Sequence, residues 1–108
     1  MIRTVAQESV ALSRIKALAH DIRYEIVRML ADGERCVCDL EVQLELPQSK
    51  VSYHLGILRE VGIVVSESRG KNSYYRLVDE VLYTLGGEVL RDVFTAARSG
   101  LYQNKSVC

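Results

Sequence analysis

The segment 46–62, LPQSKVSYHLGILREVG, constrains the fold of this chain more than any other stretch. Its apolar positions and one glycine recur at i, i+4, i+7 and i+11, at Val51, Leu55, Leu58 and Gly62. That period predicts one helix, from about 47 to 61, with a single stripe facing a core. Pro47 suits the first helical position, because the N–H that proline lacks is one that a helix start leaves unpaired.

The opposite stripe of this helix is polar in an unusual way. It carries short hydrogen-bonding side chains, an aromatic ring, a cation and a glycine, at Ser49, Ser52, Tyr53, Gly56 and Arg59. A solvated surface helix more often carries Glu and Lys at such positions. Because the major groove of DNA admits an α-helix and presents hydrogen-bonding base edges to it, we expect this reading helix to bind double-stranded DNA.

Two strands follow the reading helix, at residues 63–68 and 73–77, and both are rich in β-branched and aromatic residues. The turn between them, Arg69-Gly70-Lys71-Asn72, carries two cations. A solvated basic turn is one interpretation of this hairpin. Beside a DNA-reading helix we favour contact with the DNA backbone or minor groove, and we call residues 63–77 the wing.

Two helices are predicted at the start of the chain. The first covers residues 5–19, with Ala11, Ile15 and Leu18 on one face. The second begins after Asp21, a suitable N-cap, and stops at Gly33.

A third, short helix lies just before the reading helix. Leu40 and Leu44 share one of its faces, and it begins near Cys38 or Asp39. Only residues 45–46 separate it from the reading helix. Two short apolar helices joined by so brief a turn are typical of a helix-turn-helix.

A last helix begins at Asp79 and has an apolar face of its own, with Leu82, Leu85, Val89 and Val93. The first and last helices are not needed to read DNA. Their apolar faces most simply form a homodimer interface, which would match a two-fold DNA site. The expected organisation is one domain, residues 1–96, and a flexible tail, residues 97–108.

Composition limits the class of protein. A chain of 108 residues with 48% apolar and 26% charged residues is typical of one globular domain. We find no apolar run of about 18 residues and no signal peptide, so we expect a cytoplasmic protein without a membrane partner. The net charge is zero, but residues 47–76 hold five Lys and Arg against two Glu, a net charge of +3. We expect no enzyme, because no nucleophile–base set or phosphate-binding glycine loop is present.

This order of elements resembles the ArsR/SmtB family of metal-responsive winged helix-turn-helix repressors, and the resemblance covers nearly the whole chain. Residues 49–62, SKVSYHLGILREVG, resemble the DNA-reading motif found throughout that family. Residues 36–40, CVCDL, are similar to the thiol box of its arsenic-responsive and cadmium- or lead-responsive branches. The resemblance implies a mostly α fold with a β-hairpin. It also implies an inducer that binds cysteines at the start of the helix before the reading helix.

The chemistry of the two thiols can be argued separately. Residues two apart point about 200° away from each other on a regular α-helix, so Cys36 and Cys38 converge only outside helical backbone. Soft sulfur ligands favour thiophilic ions, and trivalent arsenic or antimony needs only two or three thiolates. Cadmium or lead would want a fuller sulfur set. The family's arsenic box often has a third Cys at the position held here by Glu41, so the tail residue Cys108 is our candidate third ligand.

Two alternatives to an ion site stay open for these cysteines. In the first, the chain is a redox or persulfide sensor that pairs Cys36 or Cys38 with Cys108, because a Cys-X-Cys pair closes a strained disulfide poorly. The cysteines are otherwise small buried hydrophobes. The chain would then be a DNA-binding or partner-binding module without an inducer.

We therefore expect a homodimeric repressor that binds a two-fold operator in double-stranded DNA and has no permanent cofactor. It releases the operator when As(III) or Sb(III) binds Cys36 and Cys38, either as two thiolates alone or with Cys108 as the third ligand. The expected DNA contacts lie on the reading helix and the wing: Gln48, Ser49, Lys50, Ser52, Tyr53, His54, Arg59, Arg69, Lys71 and Asn72.

Overall fold

A computed structural model describes residues 9–98, which form five helices and a small sheet. The elements in chain order are α1 Val10–Leu18, α2 Asp21–Leu30, β1 Arg35–Cys36, α3 Val37–Leu44, α4 Gln48–Glu60, β2 Val64–Arg69, β3 Asn72–Leu77 and α5 Asp79–Arg98. The mostly α fold with a hairpin is confirmed. The predicted start of the first helix and residues 99–108, which include Cys108, lie outside the described residues. Helix α5 continues two residues past the predicted domain end at residue 96.

The core lies between α2, α3, α4 and the sheet. Seven side chains are completely buried there: Ile26, Leu40, Val51, Leu55, Leu58, Ile63 and Val64. Three of the seven are the predicted inner stripe of α4, the reading helix. Burying one leucine contributes about 1.5–3 kcal/mol, so this stripe fixes α4 on the rest of the domain.

The starts of two helices differ by one residue from the predictions. His20, not Asp21, is the N-cap of α2, and its Nδ1 accepts a hydrogen bond from the Ile22 N–H at 3.1 Å. An imidazole Nδ1 can reach the same backbone donor that an Asp oxygen would reach. Pro47 is the N-cap of α4 rather than its first residue, and it makes no side-chain hydrogen bond to the helix.

The turn of the helix-turn-helix is as brief as predicted. Helix α3 ends at Leu44, and Glu45 takes a left-handed conformation with φ 54° and ψ 46°. The Leu46 N–H then donates to the Glu41 carbonyl at 3.2 Å, which satisfies one of the last carbonyls of α3.

The wing is an antiparallel hairpin with the predicted strands, and it pairs with a strand that the sequence did not indicate. Strands β2 and β3 pair from Val64↔Leu77 to Arg69↔Asn72, and Gly70 at the tip has a φ of +63°. The extra strand, β1, lies on the other side of β3, with Cys36 opposite Tyr74. A strand of two residues is too short to show an alternating pattern.

Helices α1 and α5 pack against each other beside the core, and Arg14 joins them to the end of α4. Its Nε donates to the Val61 carbonyl at 2.8 Å, and its Nη1 donates to both carboxylate oxygens of Glu88 at 2.9 Å. Ile15 was expected on the core face of the first helix but is 40% exposed. The inner face instead carries Ala11 and Ala17, whose small side chains leave room for Arg14.

The outer faces of α1 and α5 keep several exposed apolar side chains: Val10, Ile15, Leu90, Val93 and Phe94. None of the helices within residues 9–98 has the length and apolar character that a bilayer crossing requires.

Candidate DNA-binding surface and thiol site

The outer face of α4 presents most of the polar side chains expected to read DNA. Gln48, Ser49, Lys50 and Ser52 are exposed, and the Tyr53 ring is 63% exposed. Pro47, the N-cap of α4, makes no side-chain hydrogen bond to these first residues of the helix. The face therefore offers hydroxyl, amide, phenol and ammonium groups along the first two turns.

His54 differs from its prediction as a DNA contact, because its side chain is only 4% exposed. Its Nδ1 lies 3.0 Å from Arg23 Nη1, and its ring centroid lies 4.6 Å from that of His20. A guanidinium can only donate, so Nδ1 is the acceptor and the ring is neutral. Burial lowers the pKa of His54, and the charges of His20, Arg23 and Lys50 lower this pKa further. His54 therefore holds the reading helix against α2.

Arg59 lies where the reading helix meets the wing. Its Nη1 is 3.4 Å from both Ser66 Oγ and Tyr75 Oη, so it contacts β2 and β3 while remaining exposed. The side chain links the two surfaces that were expected to bind DNA.

The three predicted residues of the wing tip are in different surroundings. Lys71 and Asn72 are exposed, and within residues 9–98 no ion pair involves Lys71. Arg69 is instead held within the protein: its Nη2 lies 2.5 Å from Glu34 Oε1 and its Nε lies 3.6 Å from Glu67 Oε1. Its guanidinium carbon also stacks 4.2 Å from the centroid of the Tyr74 ring.

The two thiols of the box converge because Cys36 stands outside the helix. Cys36 is the N-cap of α3, with extended backbone at φ −82° and ψ 162°, whereas Cys38 is the second residue of α3. Their Cα atoms are 5.3 Å apart, and the two sulfurs form a disulfide. The expectation that a Cys-X-Cys pair closes poorly is therefore wrong here, because the helix boundary between the two residues lets their Cβ atoms approach.

Cys36 also holds the start of α3 together. Its Sγ accepts a hydrogen bond from the Asp39 N–H at 3.3 Å, and Asp39 Oδ2 accepts one from the Cys36 N–H at 3.3 Å. This reciprocal pair is a capping box built on sulfur. The Cys36 side chain is buried, while Cys38 and Asp39 are exposed, so the pair is open to solvent on one side.

Asp39 is the one neighbour of the thiols that we had not predicted as part of the site. One ligand atom from each of Cys36, Cys38 and Asp39 lies within 4.8 Å of the others. An acidic residue three positions after a helix N-cap is a capping signal, and it could have indicated that Cys36 is the N-cap.

Comparisons with known proteins agree with a winged helix-turn-helix fold. Residues 20–66 match the family described as bacterial regulatory protein, arsR family. An arsenical resistance operon repressor of Bacillus subtilis is 42% identical over 88 residues, which cover 81% of this chain and 84% of that protein. The chain belongs to the ArsR family.

Other ArsR-family relatives support the same assignment. An arsenic resistance transcriptional regulator of Pseudomonas putida is 48% identical over 61% of this chain, which spans about half (52%) of that protein. A homodimeric winged helix-turn-helix DNA-binding domain from Mycobacterium bovis has a TM-score of 0.64 and 25% identity, covering 90% of this chain and 88% of that domain. This ArsR-family chain is therefore a winged helix-turn-helix transcriptional regulator and not an enzyme.

Proposed function

We propose that this protein is a homodimeric repressor that releases its DNA operator when As(III) or Sb(III) binds Cys36 and Cys38. The observation that carries the proposal is the meeting of the two sulfurs at the N-cap of α3, one helix before the reading helix. The arsenical resistance repressor of Bacillus subtilis among its relatives supports the choice of ion.

The proposed DNA contacts are the exposed residues of α4 and the wing. Gln48, Ser49, Lys50, Ser52, Tyr53 and Arg59 would face the groove, and Arg69, Lys71 and Asn72 would face the backbone; buried His54 is left out of the set. The net charge of +3 on residues 47–76 favours phosphate contact.

The proposed dimer uses the exposed apolar side chains of α1 and α5. Leu90, Val93 and Phe94 are each about half exposed, at 59%, 55% and 49%, along the second half of α5. A contiguous patch of exposed apolar side chains is typical of an interface. The homodimeric relative from Mycobacterium bovis supports this proposal.

The donor set suits a thiophilic ion with few ligands. Two thiols can each replace one hydroxyl of arsenous acid, forming two As–S bonds and releasing two waters, with no change in oxidation state. The Asp39 carboxylate is a hard ligand already engaged by the Cys36 N–H, so it is a poor third ligand for arsenic. Cys108 remains our candidate third ligand, and with it the site would suit cadmium or lead as well.

The coupling to DNA would pass through the cap of α3. An ion that joins Cys36 and Cys38 would draw the Cys36 sulfur away from the Asp39 N–H, and losing an N-cap costs about 1 kcal/mol. Helix α3 joins α4 through residues 45–47 only, so a displaced start of α3 shifts the reading helix.

The test is a DNA titration with a duplex selected from random sequence by the reduced protein. Arsenite should weaken binding at least tenfold for the wild type, and the Cys36→Ser/Cys38→Ser variant should bind DNA normally but ignore arsenite. Release of the double variant by arsenite would disprove the assignment. Cys108→Ser separates a two-thiol site from a three-thiol site, and cadmium, lead and zinc run in parallel test the choice of ion.

A second candidate function is thiol oxidation, which the Cys36–Cys38 disulfide favours. Peroxide would take two electrons from the two thiols, forming the disulfide and two waters. If peroxide or polysulfide releases the operator from reduced protein and arsenite does not, the redox function replaces the arsenic one. Cys108→Ser should keep this response, because the bond closes within the pair.

A further inference from the structure

Arg69 is the predicted wing cation whose charge is already paired with carboxylates of the protein, although its side chain is 46% exposed. Two carboxylates face it, from Glu34 before β1 and from Glu67 on β2, and its guanidinium lies over Tyr74. The hydrogen bond from Arg69 to Glu34 is the largest cause of the raised pKa of Arg69. A DNA phosphate would have to replace Glu34 to use this cation.

Glu34 also lies close to the thiol site along the chain. Only Arg35 separates it from Cys36, and Arg35–Cys36 is the strand β1. The Arg35 side chain fixes this short strand to the end of α2, because its Nε donates to the Met29 carbonyl at 3.1 Å. Glu34 and Cys36 therefore lie on one anchored extended segment.

The same segment touches the wing through backbone pairing. Cys36 is opposite Tyr74 on β3, and Tyr74 is opposite Glu67 on β2. The ring of Tyr74 supports the Arg69 guanidinium. A backbone change at Cys36 would therefore be passed to Arg69 through the pairing of Cys36 with Tyr74. This route does not involve α3 or α4.

In this structure the two sulfurs are engaged with each other, and Arg69 is held by Glu34. We infer that Glu34 is a positioning residue that holds the Arg69 guanidinium away from DNA when the Cys36–Cys38 pair is occupied. When the pair is free, Arg69 turns to a phosphate and Glu34 faces solvent. The inference rests on the proposed release of DNA by thiol occupancy, and it adds a second route from the thiols to DNA.

The variant that tests this is Glu34→Gln, with Glu67→Gln as the matched control. Both variants remove one negative charge beside the same guanidinium, but Glu67 belongs to the wing hairpin and is not attached to the thiol segment. An exposed ion pair is weak, so we expect Glu34→Gln to reduce the arsenite effect, measured as the ratio of DNA dissociation constants with and without arsenite, by about two- to fivefold. Glu67→Gln should change both dissociation constants equally and leave that ratio unchanged.

The salt dependence gives a readout that a purely structural role would not move. With arsenite bound, Glu34→Gln should gain roughly one unit of salt slope per wing over the wild type, as one phosphate contact returns. In an Arg69→Gln background, Glu34→Gln should have no effect on slope or ratio. If arsenite releases the wild type from DNA but the Glu34→Gln variant has the same ratio and the same salt slope as the wild type, the inference is wrong and the proposed function stands. If arsenite does not release the wild type from DNA, the proposed function and this inference are both wrong.

Discussion

The two helices of the helix-turn-helix begin in opposite ways. Helix α3 begins with a reciprocal capping box in which a cysteine sulfur and a carboxylate satisfy backbone donors. Helix α4 begins at Pro47 with no side-chain cap, and three completely buried side chains hold it. The start of α3 is therefore open to chemistry at sulfur, whereas the position of α4 depends on packing. The proposed release of DNA needs both, since the element that responds must act on a helix that otherwise stays folded.

The largest effect should come from the packing of α4. Leu58→Ala removes a completely buried side chain, and such changes cost about 2–5 kcal/mol of unfolding free energy. Urea denaturation followed by circular dichroism measures it. Val42→Ala on α3 is the control, because its side chain is 76% exposed and should change stability by less than about 0.5 kcal/mol. Equal effects at the two positions would contradict the role of buried Leu58 in holding α4.

Acidification should lower the free energy of unfolding through His54, which holds α4 against α2. Its pKa lies below the ordinary value of 6.5, so the unfolded chain binds the proton first as the pH falls. Stability is then lost from about pH 6.5 downward until the pH passes the pKa of the folded protein, where the loss levels off.

The variant His54→Asn is the matched control for this pH dependence. Its side-chain oxygen can accept from Arg23 in place of Nδ1 and does not titrate. Between about pH 7.5 and about pH 5.5, the free energy of unfolding should fall less in the variant than in the wild type. These two pH values lie about one unit either side of the pKa of a free histidine. An identical decline in both proteins would mean that His54 is not the group responsible.

A smaller loss is expected at the start of α3. Asp39→Ala removes the acceptor for the Cys36 N–H and should cost about 1 kcal/mol of unfolding free energy. Asp39→Asn keeps an acceptor and should recover most of that loss. If thermal denaturation gives the same stability for Asp39→Ala and the wild type, the capping box does not hold α3.

The smallest effect is expected at the start of α4. Pro47→Ala removes no side-chain hydrogen bond and only loosens the unfolded chain, so it should cost at most about 1 kcal/mol. Thermal denaturation in the same series compares it with Asp39→Ala. A cost above that of Asp39→Ala would reverse the comparison between the two helix starts.

Periodicity explains which parts of the fold could be predicted. The inner stripe of α4 and the two strands of the wing repeat over many residues, and both were located to within one or two positions. Strand β1 has two residues and forms only because β3 offers a free edge, which no local pattern records.

The same limit applies at the level of single side chains. His54 lies beside exposed residues of α4, and its burial follows from Arg23 and His20, more than thirty residues earlier in the chain. The contact between Arg69 and Glu34 likewise joins residues far apart in sequence. The disulfide depends on the position of one helix boundary, which sequence locates only approximately.

Arg14 has a consequence for how the reading helix can move. It ties the far end of α4, at the Val61 carbonyl, to Glu88 on α5, and Gly62 with its φ of +82° packs against the same guanidinium. The thiols act at the other end of the helix-turn-helix. In the proposed release of DNA, a disturbance near the first residue of α4 would therefore tilt the helix about the end that Arg14 holds. The contacts of Arg14 with Glu88 on α5 would stay in place during this tilt, so the proposed dimer would persist while the DNA is released.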